Sequence, residues 1–119
     1  MASLTRADIL GAVDRKLVSV AVPEWGGDVY IRQLTARERA EYEDAAAQIK
    51  DASGPLAGMR RCAMFLAAVL CDENGAALFG VGDAEEIMSR NFDVVQRLFR
   101  RAGRHNVITQ ADIDDLGKN

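Results

Sequence analysis

The residues that could do chemistry are few, and their spacing does not assemble a catalytic group. The chain has one histidine and two cysteines among 119 residues. None of the glycine-rich, nucleophile-elbow or zinc-binding motifs that mark common active sites occurs in it. Its 18 carboxylates fall on predicted helix faces and caps, not inside apolar stretches where burial would raise one pKa for acid–base work. The sequence therefore argues against an enzyme and predicts no cofactor.

One acidic segment, Asp72–Gly75, resembles the start of a calcium loop. An EF-hand requires oxygen ligands at alternating positions and a Glu at the twelfth. Ala76, Leu78 and Gly80 occupy the intervening positions, and Asp83 is the twelfth residue. The segment is therefore predicted to be a turn that binds no metal.

The two cysteines, Cys62 and Cys71, lie nine residues apart in one apolar stretch. In a helix they would be ~13 Å apart along the axis, on opposite faces. A disulfide needs Cα atoms within ~7 Å. Buried free thiols are therefore predicted, which suits a reducing cytoplasm. A metal role is disfavoured because the only histidine is His105.

The segment Arg97–His105 is the one basic cluster. Arg97, Arg101 and Arg104 share one face of a predicted helix. A solvated surface is the favoured interpretation, and a docking patch for an acidic partner or weak phosphate binding are the alternatives. The net charge of −3 gives no overall attraction to nucleic acid.

The sole tryptophan, Trp25, stands between Glu24 and the pair Gly26-Gly27. It could fold back onto a helix and cap the core. It could also be an exposed anchor for another protein, since tryptophan is enriched in binding hot spots. Both interpretations remain open on the sequence alone.

A β-hairpin is predicted around this tryptophan. Leu17–Val22 alternates large and small residues and is rich in β-branched side chains, which favours a strand. Pro23 removes a backbone donor, and the glycine pair supplies the positive φ that a tight reversal needs. Asp28–Gln33 is the predicted returning strand, with Val29 and Ile31 on one face.

Apolar periodicity and capping residues predict four to six helices. The first is Ala7–Val13, with Thr5 as its N-cap, Asp8 at the third helical position, and Leu4 and Ile9 at the spacing of a hydrophobic staple. The others are about fifteen residues from the Thr35–Glu38 capping box, Leu56–Cys71, a short helix from Asp83, an amphipathic helix ending at Gly103, and a closing segment from Thr109. Leu56–Cys71 is apolar nearly all round and is predicted to be the central buried helix.

The predicted fold class is α+β, mainly helical, with one N-terminal β-hairpin and a short third strand at Ala76–Phe79. A chain of this length fits one domain over residues 1–119. Residues 106–119 are predicted to form a loosely packed C-terminal segment. The longest apolar run, Cys62–Cys71, is half the ~20 residues that a membrane-spanning helix needs. With no apolar leader either, a soluble cytoplasmic protein is expected.

In the order and character of its pieces the chain resembles the tail assembly chaperones of long, non-contractile-tailed bacteriophages. The segments that carry this resemblance are Val20–Arg32, Leu34–Arg39, Leu70–Gly75 with Leu78-Phe79, the amphipathic helix ending near Gly103, and Thr109–Asn119.

This resemblance implies a specific partner. Such chaperones, encoded by a phage or prophage, bind the long helical tape measure protein and keep it soluble while the tail tube assembles. They act in the cytoplasm of the bacterial host and are absent from the mature virion. A frameshifted longer form commonly recruits the tail tube protein. Coating a long partner needs many copies, so self-association is expected.

A hypothesis for the partner-binding surface combines the hairpin with the amphipathic helix. An apolar surface would accept helix stripes of the partner, with arginines at its rim. The residues in this hypothesis are Trp25, Tyr30, Val95, Leu98 and Phe99, with Arg97 and Arg101 at the rim. Alternative functions are a structural virion protein of the head–tail connector, or a small regulatory or nucleic-acid-binding protein that uses the Arg97–His105 cluster.

Overall fold

The computed structural model describes residues 2–49 and 53–106, which form five α-helices and a three-stranded antiparallel sheet. The elements in chain order are α1 Arg6–Leu10, β1 Leu17–Val22, β2 Gly27–Arg32, α2 Ala36–Ala47, α3 Pro55–Val69, β3 Leu70–Cys71, α4 Ala84–Met88 and α5 Phe92–His105. The predicted α+β class with an N-terminal hairpin is confirmed. No helix within these two ranges has the length and apolarity to cross a membrane.

The hairpin forms where Pro23 and the glycine pair predict a turn. β1 pairs with β2 from Leu17 opposite Arg32 to Val22 opposite Gly27. Pro23 begins a 3-10 turn, and the N–H of Gly26 donates to its carbonyl oxygen at 3.0 Å. Gly26 has a φ of +79°, which glycine adopts without strain. Gly27 already belongs to the strand, so one glycine provides the reversal.

Both predicted N-terminal caps are present. The side chain of Thr5 accepts from the Asp8 amide and Asp8 bonds back to Thr5, and Thr35 and Glu38 repeat this arrangement. The helices that follow are shorter than predicted, because α1 ends at Leu10 and α2 at Ala47. The caps fix where each helix starts, whereas its end depends on what it packs against.

The third strand is not where the sequence placed it. Helix α3 ends at Val69, two residues before the predicted end, and Leu70 and Cys71 pair with Ile31 and Tyr30 of β2. In the segment predicted as the strand, Ala77 makes an isolated bridge to Cys71. The free edge of β2 offers partners to the backbone of Leu70 and Cys71, which draws these two residues out of the helix.

The Asp72–Gly75 segment is a turn, as predicted. Asp72 Oδ1 accepts from the amides of Asn74 and Ala76 at 2.8 and 3.0 Å, and Gly75 has a φ of +85°. The Asp72 carboxylate therefore accepts hydrogen bonds from backbone amides of the turn. Within the described ranges no cluster of side chains could hold a metal ion.

Helix α3 is the centre of the core, as its composition predicts. Phe65 is fully buried and meets Tyr42 of α2 and Phe99 of α5 edge to face, at centroid distances of 5.3 and 5.9 Å. Such edge contacts are favourable because the positive ring edge faces a negative ring face. Three helices thus meet at one aromatic side chain.

Both cysteines are free and buried, as predicted. Burial raises the pKa of the Cys62 thiol to about 11, and it also raises the pKa of Cys71. The thiols are therefore protonated at neutral pH, and a protonated thiol is a poor nucleophile.

Helix α5 runs past its predicted end. Gly103 is buried inside the helix, which continues to His105. Asn106 then stops it, because its Oδ1 accepts from the Leu34 amide at 2.7 Å and its Nδ2 donates to the Ala102 carbonyl at 2.9 Å. Asn106 is thus held by hydrogen bonds to two different elements. The predictions for residues 107–119, the closing segment among them, lie outside the described residues.

Candidate functional site

Trp25 lies at the tip of the hairpin, in the 3-10 turn after β1, and 41% of its surface is exposed. Its side chain lines a groove with Leu70, Phe79 and Ile87. The indole therefore presents a broad apolar surface to solvent beside two buried residues, Leu70 and Ile87. Such a surface is what the anchor interpretation requires.

The surface beside this indole is an open groove of about 570 Å³. Its lining, here called the Trp25 groove, consists of Trp25, Leu70, Phe79, Glu86, Ile87, Ser89 and Arg90. Leu70 and Ile87 are buried residues that form its floor, and Phe79 packs on the core from one side. Glu86 and Arg90 add one charge of each sign. An apolar floor with a few polar groups is typical of a binding site.

The hairpin tip is tied to α5 by an ion pair. Arg97 Nη1 and Nη2 donate to Glu24 Oε2 and Oε1 at 3.1 and 2.9 Å. Both side chains are nearly half exposed. The two-pronged geometry fixes the position of the turn, and hence of Trp25, relative to α5. The structure thus brings together Trp25 and Arg97, two residues of the predicted surface that are 72 positions apart.

This ion pair shifts the pKa values of both Glu24 and Arg97. The hydrogen bonds from Arg97 lower the pKa of the Glu24 carboxyl, and the same bonds raise the pKa of Arg97. A lowered pKa in the folded state means that the pair stabilises the tip above the ordinary pKa of Glu24. That contribution is lost as the pH falls through the lowered value.

Replacing Arg97 by glutamine is therefore expected to raise the pKa of Glu24 towards its ordinary value. NMR titration of the Glu24 side-chain carboxyl measures this shift directly. The matched control is Arg100→Gln, because Arg100 is an exposed arginine of the same helix and Glu24 bonds to Arg97 instead. An unchanged Glu24 titration in the Arg97 variant would show that the pair does not form in solution.

Three predicted surface residues lie elsewhere. Val95, Leu98 and Phe99 are at most 3% exposed and pack in the core. This differs from the surface position expected from the sequence. The apolar stripe of α5 is already covered by the fold of its own chain, so these side chains support the outer surface from beneath.

Tyr30 and Arg101 are intermediate cases. Tyr30 is half-buried in the central strand, opposite Ser19 of β1 and Cys71 of β3. Arg101 is partly exposed on α5. Both retain accessible surface, so both can contribute to a binding face.

Two residues of the basic cluster form hydrogen bonds to other elements of the chain. Arg97 bonds to Glu24, and His105 Nε2 lies 2.6 Å from the carbonyl oxygen of Lys16. Arg100 and Arg104 are exposed. The cluster therefore holds α5 to both ends of the hairpin as well as carrying positive charge.

A second, smaller groove of about 190 Å³ lies between α2 and α3. Its lining includes Tyr42, Ala45, Met64 and Phe79, with Glu41 among its polar residues. Phe79 borders both grooves, so the two form neighbouring parts of one face. Neither Phe79 nor Ile87 could be assigned to a binding site from the sequence, because each lies in a short segment with no clear apolar period.

The N-terminal segment carries four exposed apolar side chains that were not assigned to a site from the sequence. No residue of α1 is buried. The exposed side chains are Leu4, Ile9, Leu10 and Val13. Leu4 and Ile9, which the sequence predicts to contact each other, are both more than half exposed. The sequence offered one indication of this exposure, because the segment is rich in apolar residues but too short to form a core.

Comparison with known proteins gives one family and one fold. A family model described as phage tail assembly chaperone matches residues 12–118. Among solved structures, the tail assembly chaperone of bacteriophage HK97 matches with a TM-score of 0.57 and 21% sequence identity. The match covers 74% of this chain and 82% of that one. At this identity the likeness shows a shared fold. No curated protein sequence matches.

Proposed function

Because the chain belongs to the phage tail assembly chaperone family, we propose that it binds the tape measure protein and keeps it soluble while the tail tube assembles. In this role it is non-enzymatic and works in the cytoplasm of the bacterial host. It is absent from the mature virion. A frameshifted longer form would bring the tail tube protein to the same complex.

The observation that carries this proposal is the Trp25 groove. A long helical client exposes apolar stripes that aggregate in water unless something covers them. A helix bound in a groove presents its apolar side chains at i, i+3, i+4 and i+7. The floor of Leu70 and Ile87, with Trp25 and Phe79 as walls, offers such side chains an apolar environment.

Trp25 is the expected anchor of this contact. Its exposed surface is large, and an indole loses little rotational freedom when it is covered. The Glu24–Arg97 ion pair beside it holds the turn in place before the client arrives. A surface that is already ordered loses less entropy on binding.

The polar groups around the groove would set orientation. Glu86 and Arg90 have opposite charges, and Arg97 and Arg101 lie on the neighbouring helix. Rim charges act mainly on association rate and specificity. The binding residues now proposed are Trp25 and Phe79, with Tyr30, Arg97 and Arg101 around them, while Val95, Leu98 and Phe99 support them from the core.

Replacing Trp25 by alanine is expected to weaken binding to the tape measure protein by about ten-fold or more, as for other tryptophan anchors. Co-expression followed by measurement of soluble tape measure protein, and of the amount co-purified, tests this. The matched control is Phe92→Ala, since Phe92 is an aromatic residue that is 62% exposed and lies outside the groove lining. Circular dichroism of both variants verifies folding. Equal recovery with the two variants would eliminate Trp25 as an anchor.

Mass spectrometry of purified virions tests the proposed absence of the chain from the mature virion. A chaperone should be missing from them. Recovery of the chain in a fixed ratio to tail proteins would instead assign it to the virion as a structural component.

A further inference from the structure

The groove between α2 and α3, here called the Ala45 groove, is lined mainly by apolar side chains and yet is open to solvent. Its volume is about 190 Å³. Three of its lining residues are alanines, Ala45 on α2 with Ala67 and Ala68 on α3. Ala45 and Ala68 are partly exposed. Alanine side chains are too short to fill a space of this size, so the hollow follows from the residues that line it.

Two aromatic rings beside the groove set the distance between its walls. Tyr42 of α2 and Phe65 of α3 meet edge to face, with ring centroids 5.3 Å apart. The Tyr42 hydroxyl also donates to the Arg61 carbonyl at 3.2 Å, which ties the two helices together. The distance between packed helices depends on the side chains at their contact. The rings therefore keep α2 and α3 farther apart than alanine side chains can bridge.

An apolar hollow that faces water gives up burial that would stabilise the fold. Filling such a hollow with a larger side chain commonly stabilises a protein, and the recurrent cost is lost function. The alanines of the Ala45 groove therefore indicate an occupant from outside this chain. Small-molecule sites are larger, about 300 Å³ or more, so the space suits about one or two apolar side chains of another protein.

The charge at the groove specifies the chemistry of this occupant. The charged residues of its lining, Glu38 and Glu41, are both acidic. Glu38 is already paired, because Arg15 Nη2 donates to its Oε1 at 2.6 Å and Arg32 Nη2 lies 3.5 Å from its Oε2. Glu41 is exposed and forms no ion pair within the described part of the chain. A cationic side chain is the complement of this carboxylate.

We propose that the Ala45 groove binds a large apolar side chain of a client helix that carries a lysine or arginine one turn away. The apolar side chain fills the hollow and the cation pairs with Glu41, because residues three or four apart share one helix face. Phe79 borders both this groove and the Trp25 groove, so the site continues the surface proposed for the client. The identification of the client as the tape measure protein rests on the proposed function.

Methyl NMR with a synthetic peptide tests the site without the tape measure protein. The probe is a helical peptide of leucine and lysine, with leucines at i, i+3, i+4 and i+7. A second peptide has glutamate at every lysine position. The lysine peptide should shift the methyl signals of Ala45 and Met64 and bind there about ten-fold more tightly than the glutamate peptide. The methyl signals of Ile87 report the Trp25 groove separately.

Removing the charge of Glu41 tests the electrostatic part of the proposal. Glu41→Gln should abolish the preference for the lysine peptide at Met64 and keep the apolar contact. The matched control is Asp44→Asn, because Asp44 is an exposed carboxylate of the same helix outside the groove lining. Its loss changes the net charge equally, and the preference should persist. Loss of the preference in both variants, or in neither, would contradict a pairing with Glu41.

Filling the hollow should move stability and binding in opposite directions. Ala45→Leu should raise the urea midpoint relative to Ala40→Leu, the same change at an exposed position of α2 outside the lining. Ala45→Leu should also weaken binding of the lysine peptide at Met64 by about ten-fold or more, whereas Ala40→Leu should bind like wild type. If Ala45→Leu does not fold, Ala68→Leu fills the same hollow from α3.

Three results would overturn the proposal. These are peptide binding at Met64 that survives Ala45→Leu, a urea midpoint of Ala45→Leu no higher than that of Ala40→Leu, and methyl shifts confined to Ile87. Each of them concerns the Ala45 groove and is measured with a peptide. Client binding in the Trp25 groove would remain as proposed, because its test is the recovery of tape measure protein with Trp25→Ala.

Discussion

Replacing Phe65 by alanine is expected to lower the free energy of unfolding by about 3–5 kcal/mol, the range found for buried phenylalanines. Phe65 is fully buried in α3 and contacts the rings of Tyr42 and Phe99. Its removal leaves a cavity that borders three helices. Each helix is held by the others, so none can shift freely to fill the space.

Urea unfolding followed by circular dichroism measures this loss. The matched control is Phe92→Ala, whose ring is 62% exposed and whose effect should stay within about 0.5 kcal/mol. Phe65→Leu keeps more of the volume and should cost less than alanine. It also provides a folded sample if the alanine variant does not fold. Equal losses for Phe65→Ala and Phe92→Ala would contradict the central position of Phe65.

Replacing Arg32 by methionine is expected to cost about 2–4 kcal/mol, because hydrogen bonds to charged groups contribute about 1.5–3 kcal/mol each and are not fully additive. The Nε and Nη2 atoms of Arg32 donate to the Ala68 carbonyl at 3.1 and 3.0 Å, and Nη1 donates to the Gly75 carbonyl at 3.2 Å. Its side chain is 12% exposed and lies 3.5 Å from Glu38 Oε2. One guanidinium thus joins the sheet, the end of α3 and the turn after β3.

Urea unfolding also measures this change, against two controls. Arg32→Lys keeps the charge but lacks the planar fork, so it should recover only part of the loss. Arg39→Met removes an exposed i,i+4 pair with Glu43, and it should cost no more than about 0.5 kcal/mol. If the methionine variants of Arg32 and Arg39 were equally stable, the contacts of Arg32 with the helix end would contribute nothing measurable.

The parts of the fold that the sequence predicts are those encoded by neighbouring residues. Pro23 and Gly26 define the turn, and β1 has its predicted bounds. The Thr5 and Thr35 caps also need only residues three positions away. In each case the partner groups lie within one turn of chain, so their pairing does not depend on the rest of the molecule.

Element ends were harder to predict because distant partners decide them. β3 exists because Leu70 and Cys71 meet the edge of β2, and α5 reaches His105 because Asn106 bonds to the far end of β2. Nothing in either local pattern encodes these contacts. A helical stripe shows which residues share an apolar face, but not whether the core or a partner covers it.

The candidate site was also only partly predictable, because it depends on contacts between residues distant in the sequence. The position of Trp25 at the hairpin tip followed from the turn, whereas its exposed fraction of 41% could not be predicted from the sequence. The link from Glu24 to Arg97 crosses 73 positions and could not be predicted from spacing. Val95, Leu98 and Phe99 have the same apolar character whether they face a partner or the core. The structure places them in the core.

The attachment of Asn106 has a mechanical consequence. Its side chain bonds at once to the Leu34 amide, the Arg32 carbonyl and the Ala102 carbonyl. Gln33 Nε2 adds a bond to the His105 carbonyl. Tension applied to polypeptide beyond Asn106 would load these bonds together, and it would reach the sheet before it could unwind α5 turn by turn. Whatever is attached downstream would therefore pull on the whole folded body.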